Sequence, residues 1–240
     1  KELKKEGVII EGKHENMYFA GRMYKALGID FSLLDKKLKE LRRYEENLKQ
    51  AKEGYNSQKK GFEIVKIKKE KRDFLSGSIA ITEGAIKSGI DCYYAYPMTP
   101  ATAVLEHLAQ KQKEHGHLTL ELENEIAVAN AGCGSAITGA KTMIGTSGGG
   151  FALMTEALSM CGVAEIPLVF YLAQRAGPAS GVATYTAQAD LHMARHAGHG
   201  EFPRVVLASG DPTETQEITS QAFYLSQKYS CPSFILSDKH

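Results

Sequence analysis

The chain has 240 residues, enough for one large domain or for a domain joined to a fragment of another. Its hydrophobic share of 43% and charged share of 24% are ordinary for a soluble globular protein. A net charge of +1 argues against a general nucleic-acid surface, and no apolar run approaches the roughly 20 residues needed to cross a bilayer.

The opening "KELKKEG" is charged and has no apolar core behind it, unlike a signal peptide. "ENMYFAGRMYKALGID" then has helical spacing of its apolar residues. "SLLDKKLKELRRYEENLKQAKEGY" continues that spacing, with Ser32 as the expected N-cap and Gly54 as the expected stop. "KKGFEIVKIKKEKRDFL" alternates briefly and turns basic, as an extended linker would. This first part, residues 1–76, is too small and too charged to bury a core alone. It reads as the tail of another domain or as an arm that packs on a partner.

From residue 77 the texture changes. "DCYYAY", "LTLEL", "KTMIGT", "PLVFYLA", "RVVLA" and "PSFILS" read as strands, with helices expected near 79–88, 100–115, 124–138, 151–161 and 213–228. Alternation of this kind predicts an α/β domain over 77–240, a mostly parallel sheet with helices on both faces. "PLVFYLA" is apolar almost throughout, as a central strand buried on both sides should be.

"YYAYPMTPATA" joins the first strand to a helix through two prolines that bracket Met98 and Thr99. Proline fixes its own φ and holds the preceding residue extended. Pro100 is suited to open the helix, and Thr99 is held in a stiff loop at the strand's C-terminal end, where open α/β sheets bind ligands. The plainer reading is a well-made connection with no further role.

Several short motifs invite chemistry. "GTSGG" matches a nucleophile elbow around Ser147, with Asp190, His192, His196 and His199 downstream. Against it, no HGGG-type oxyanion loop precedes it and the acid and histidines are crowded together. Gly148, Gly149 and Gly150 instead suggest a backbone that approaches something closely. The glycines make no dinucleotide fingerprint, because Leu153 stands where its last glycine belongs, and no complete Walker motif is present. His192, His196 and His199 have helical spacing, but Met193 stands where a zinc protease would carry its general-base Glu. The glycines around His199 suggest that the helix stops before it, which favours a solvated or interface cluster over a metal site. Cys92, Cys133, Cys161 and Cys231 are widely spaced and form no CxxC pair, so they offer neither a zinc ribbon nor an iron–sulfur ligand set. They read as reduced core residues, which points to the cytoplasm.

"LELENEIAVANAGCGSAITGAK" carries more. A strand runs into a helix that opens with Glu123, Asn124 and Glu125. Acids in a first turn complement the helix dipole, yet Glu125 stands at the mouth of an apolar, small-residue helix, where desolvation suits it to a basic ring nitrogen of a ligand. "YLAQRAGPASG" ends the central strand with Gln174 and Arg175; an arginine there suits a carboxylate or phosphate, or a plain surface salt bridge. If the strands are parallel, Thr99, Glu125 and Arg175 share one sheet edge.

Together and in this order, "YPMTPAT", the run from "ELENEIAVANAG" to "QRAGPASG", "TAQADL" and "HGEFPRVVLASGDPTE" resemble the α chain of the 2-oxoacid:ferredoxin oxidoreductases, nearly continuously over 77–240. "ENMYFAGRMYKALGID" and "LKQAKEGY" resemble, more weakly, the end of the γ domain fused ahead of it in many members. The resemblance implies a thiamine-diphosphate-binding fold in which this chain is the pyrimidine-type domain. It implies a separate β subunit that supplies the Mg²⁺ and diphosphate site and an iron–sulfur cluster. By resemblance Glu125 bonds the aminopyrimidine and favours its imino tautomer, Thr99 and Arg175 contact the substrate, and the turn holding Gly149 and Phe151 approaches the cofactor. Met98 departs from the isoleucine common in the family. The reaction implied is oxidative decarboxylation of a 2-oxo acid with coenzyme A, giving acyl-CoA, CO₂ and reduced ferredoxin, with no nucleic-acid or membrane partner. A non-redox thiamine enzyme and a non-catalytic interaction module are the alternatives.

Overall fold

The computed structural model describes residues 15–62 and 75–239. The chain divides into two compact units, residues 1–72 and 73–240.

The described part of the first unit is three helices: α1 (Glu15–Ala26), α2 (Phe31–Leu38) and α3 (Tyr44–Ser57). Leu34, Leu38 and Ala51 form its small core. Three details differ from the sequence reading. The cap of α2 is Asp30, whose carboxylate accepts from the Ser32 amide at 2.8 Å, while Ser32 itself lies inside the helix. The expected single helix is also broken at residues 39–43, where Arg43 takes a left-handed φ of 60°. Tyr44 ties the far side of the break back by donating to Asp35 at 2.7 Å, and Asn47 donates to the Arg42 carbonyl at 2.9 Å. Gly54 does not stop α3. It lies inside the helix, where any side chain would collide with the Tyr18 backbone, and Gly21 is hemmed in likewise by Ala51. These two glycines let α1 and α3 touch backbone to backbone. The expected linker over 59–75 falls mostly outside the described residues.

The second unit is an α/β layer. Its elements in order are α4 (Gly77–Lys87), β1 (Cys92–Ala95), α5 (Thr102–His115), β2 (Leu118–Glu121), α6 (Glu125–Ala136), β3 (Thr142–Thr146), α7 (Gly148–Phe151), a 3₁₀ turn (Ala152–Met154), α8 (Thr155–Val163), β4 (Val169–Ala173), α9 (Leu191–His196), β5 (Val205–Ala208), α10 (Pro212–Tyr229) and β6 (Ser233–Ser237). All five strand pairings are parallel, in the order β2-β1-β3-β4-β6-β5. Each of the six expected strand segments therefore supplies one strand of a parallel sheet.

Period-two alternation sorts the strand residues onto two cores. Tyr94, Ile144, Phe170, Leu172 and Phe234 point to the face covered by α6 and α8. Tyr93, Met143, Val169, Tyr171 and Ile235 point to the face covered by α4, α5 and α10. β3 and β4 are buried along their whole length, which is why "PLVFYLA" carries no polar alternation. Phe151, Phe170 and Phe234 form an aromatic cluster, with the Phe170 and Phe234 rings stacked at 4.9 Å.

Because β1 leads to β2 on one side and pairs with β3 on the other, the order reverses at β1. A crevice outside the carboxyl ends of β1 and β3 is where such sheets bind ligands.

Candidate active site

Four loops or helix starts converge on that crevice. The one after β1 carries "YPMTP". Its turn is closed by the Ala101 amide donating to the Met98 carbonyl at 2.8 Å. Pro100 lies in this turn and does not open the helix, which starts at Thr102 with Ala101 before it. Thr99 is exposed and its hydroxyl has no partner among the described residues. Its carbonyl accepts from Arg175 Nη1 at 2.7 Å. Met98 receives the Thr146 hydroxyl at 4.0 Å, so the loop touches the tips of both β3 and β4.

Glu125 is the first residue of α6, behind the Asn124 cap, whose side chain accepts from the Ala127 amide at 2.9 Å. It is 4% exposed and its Oε1 is buried without a partner. A buried polar atom left unpaired costs free energy unless a ligand completes it. The carboxylate is seated by Gly150: a methyl group there would lie 2.7 Å from Glu125 Oε1 and would also meet the Thr146 hydroxyl.

The three glycines after β3 each have a separate reason. A methyl at Gly148 would lie 2.8 Å from both carboxylate oxygens of Asp190, and one at Gly149 would lie 2.9 Å from the Ala179 carbonyl. The triplet thus answers to groups of this same chain. Phe151 projects its ring wholly into the core. Ser147 is fully buried and its hydroxyl meets no histidine, which removes the nucleophile-elbow reading.

Arg175 follows β4. Its Nη1 is used at Thr99, while its Nε is buried and has no partner. Arg175, Gly148, Gly149 and Asp190 line a cavity of about 240 Å³. Asp190, weighed from sequence only as a triad acid, sits here: its amide donates to the Gln174 side chain at 3.0 Å, and burial raises its carboxyl above the ordinary aspartate value, partly offset by the Arg175 backbone amide. The His192 and His196 rings lie 4.4 Å apart, tilted by 30°, on α9, which ends at His196, short of His199. Among the described residues no group of three or more His, Cys, Asp or Glu side chains is placed to hold a metal.

A family model described as "Pyruvate flavodoxin/ferredoxin oxidoreductase, thiamine diP-bdg" matches residues 83–240. The chain belongs to that family. Among curated relatives of this oxidoreductase family, 2-oxoglutarate synthase subunit KorA of Archaeoglobus fulgidus is 34% identical over 167 residues, 70% of this chain and 48% of the relative. The 2-oxoacid:ferredoxin oxidoreductase 1 subunit alpha of Sulfurisphaera tokodaii is 35% identical over 234 residues, 90% of this chain and 37% of the relative. Among solved structures, a 2-oxoglutarate:ferredoxin oxidoreductase from Magnetococcus marinus, with 2-oxoglutarate, coenzyme A and succinyl-CoA bound, superposes with a TM-score of 0.79 at 31% identity, covering 94% of this chain and 42% of that one. The chain therefore spans half or less of the length of these oxidoreductases.

Proposed function

We propose that this chain forms the pyrimidine-binding part of the α subunit of a thiamine-diphosphate-dependent 2-oxoacid:ferredoxin oxidoreductase. The reaction is oxidative decarboxylation of a 2-oxo acid with coenzyme A to acyl-CoA, CO₂ and reduced ferredoxin. The observation that carries this reading is Glu125, a buried carboxylate oxygen with no partner, seated by a glycine at the switch point of the sheet.

That oxygen fits an aminopyrimidine ring, whose protonated nitrogen would complete it. Bound thiamine diphosphate supplies a nucleophilic carbon and an electron sink for decarboxylation. Glu125 would hold the ring and its tautomer, and the turn carrying Gly149 and Phe151 would approach it. Arg175 has its Nε still without a partner after spending Nη1 on Thr99, and that edge suits bidentate capture of the substrate carboxylate. The Thr99 hydroxyl, on the residue whose carbonyl Arg175 holds, is a further donor. The Mg²⁺ and diphosphate site and the iron–sulfur cluster would belong to a partner β subunit, and ferredoxin would take the electrons. Residues 1–76 are the end of a γ-like domain with its linker, and 77–240 are the pyrimidine-binding domain. The four widely spaced cysteines, read as reduced core residues, favour a cytoplasmic setting.

The test is purification with native partners, followed by a screen of 2-oxo acids for coenzyme-A-dependent dye reduction. One or more 2-oxo acids should turn over. An intact complex that reduces dye with none of them overturns the reading, and a partner without iron–sulfur absorbance points to a non-redox thiamine enzyme instead.

A further inference from the structure

Two buried thiols meet behind the candidate site and have no place in the chemistry described so far. Cys133 lies on α6 and Cys161 on α8. Their Sγ atoms are 3.4 Å apart, within hydrogen-bonding reach of each other. Cys133 donates its own proton to the Ala157 carbonyl at 3.8 Å, one turn before Cys161 on the same helix, which leaves its sulfur free to accept from Cys161. Both lie in the core that α6 and α8 share, 2% and 0% exposed. A lone buried cysteine packs as a small hydrophobe. Two whose sulfurs already touch need only about 1.4 Å of further approach to reach a disulfide bond length. The contact also sorts the pair. The Cys161 thiol holds Cys133 below the ordinary cysteine value against the opposing effect of burial, while Cys133 and burial push Cys161 up. Cys133 is therefore the sulfur that ionises first and attacks.

The pair joins the two pieces of chain that meet at Glu125. Glu125 opens α6, about two turns before Cys133. α8 runs on from the 3₁₀ turn and α7, and α7 carries Gly150, whose lack of a side chain makes room for Glu125 Oε1. Drawing the sulfurs together moves the helix of the carboxylate against the chain that seats it.

We propose that Cys133 and Cys161 are a reversible disulfide site, closed by a hydroperoxide, and that closure unseats Glu125 and loosens the cofactor. The effect on the cofactor rests on the reading that Glu125 binds thiamine diphosphate; the disulfide itself does not. The Cys133 thiolate attacks one peroxide oxygen. The O–O bond breaks, the sulfur becomes a sulfenic acid, and the other oxygen leaves as hydroxide and takes up the proton that Cys133 gave up. Cys161 then attacks the Cys133 sulfur. The S–S bond forms, the S–O bond breaks, and the departing hydroxide takes the Cys161 proton as a second water. The two thiols lose two electrons and the peroxide gains them. Hydrogen peroxide is small enough to enter a core that opens locally, and α8 exposes Met160 and Val163 on its outer side. In a reducing compartment the pair is open at rest.

The experiment uses the assembled enzyme, treated with hydrogen peroxide and then alkylated. Peptide mapping reads the Cys133–Cys161 linkage. Calorimetry reads thiamine diphosphate affinity before oxidation, after it, and after reduction by dithiothreitol. The expected result is the linked peptide, an affinity about tenfold weaker, as a small misplacement of a positioned group causes, and recovery on reduction. Cys133→Ala and Cys161→Ala should each keep the starting affinity throughout, and either carries the test if the other fails to fold. Peroxide damage elsewhere is common to all three proteins and is not undone by dithiothreitol. Absence of the linked peptide overturns the proposal, and so does an equal, reversible loss of affinity in the alanine variants. If the linkage forms with affinity unchanged while Glu125→Gln weakens binding, the switch is overturned and the reading of Glu125 stands. If Glu125→Gln leaves affinity unchanged, that reading falls, and the linked peptide alone decides whether the disulfide site stands.

Discussion

Arg175 Nη1 donates to the Thr99 carbonyl at 2.7 Å, and this bond ties the tip of β4 to the loop after β1 across the end of β3. It gives the stiff "YPMTP" loop a purpose beyond joining a strand to a helix. A guanidinium fixed to a rigid carbonyl by one nitrogen is pre-aimed, so less entropy is lost when its remaining edge takes a ligand.

Arg175→Lys keeps the charge and loses the fork. An ammonium cannot hold Thr99 and a carboxylate edge at once, so kcat/KM for the 2-oxo acid should fall by a factor corresponding to about 1.5–3 kcal/mol, the scale of a charged hydrogen bond. Thr99→Val removes the hydroxyl and leaves the carbonyl that Arg175 uses. It should lower the same parameter with little change in Tm. KM for ferredoxin should not move in either variant. A Thr99→Val enzyme with normal kinetics and a lowered Tm would reduce the loop to a connection.

Glu125→Gln preserves size and removes the charge that a protonated ring nitrogen needs. In the assembled enzyme, hydrogen–deuterium exchange at the thiazolium carbon of bound thiamine diphosphate should slow by roughly 10²-fold or more, the usual worth of a positioned acid–base group. The fold should be unaffected, since Glu125 Oε1 has no partner among the described residues. Exchange at the wild-type rate would remove Glu125 from the site.

The strands and Glu125 were legible in the sequence for the same reason: both are local. A parallel strand buried on two faces is a short apolar run, and an acid opening an apolar helix is visible in a single window. What stayed hidden depends on pairs far apart in the chain. The Gly148–Gly150 run reads as a backbone that approaches something closely, and the groups of this chain that it approaches, Asp190, Ala179 and Glu125, lie far from it in the sequence. Gly54 reads as a helix stop because its partner, the Tyr18 backbone, is on another helix. Asp30 and Ser32 are both good caps, and only the backbone geometry chooses Asp30, extended at φ −65° and ψ 138°. The break before α3 has no glycine or proline to announce it.

Gly150→Ala tests the seat of Glu125. Its backbone is helical, so alanine is conformationally welcome, but the methyl would meet the Thr146 hydroxyl and lie 2.7 Å from Glu125 Oε1. The crowding should win, with a loss of roughly 1–3 kcal/mol in stability and weaker thiamine diphosphate binding. Gly134→Ala on α6 is the control. Nothing lies within 4 Å of its added methyl, and helix propensity predicts a gain of up to about 1 kcal/mol. Equal effects of the two substitutions would mean that Gly150 seats nothing.

The last prediction concerns Tyr93, whose hydroxyl is wholly buried, unpartnered and set against Gly145, where a side chain would collide with it. Burial, with Tyr171 beside it, pushes its phenol well above the ordinary value. The folded state therefore keeps the proton that the unfolded chain gives up near pH ~10. Above that pH the unfolded state binds fewer protons than the folded one, so stability falls as pH rises. Tyr93→Phe removes this linkage. Its alkaline unfolding midpoint should move to higher pH, and near neutrality the loss of an unpaired buried hydroxyl should stabilise the fold by about 1 kcal/mol. In the wild-type protein, phenolate absorbance should show one step that coincides with unfolding and is diminished in Tyr93→Phe. A variant that unfolds at the same alkaline pH as the wild type, with that step undiminished, would show that the Tyr93 hydroxyl is solvated after all.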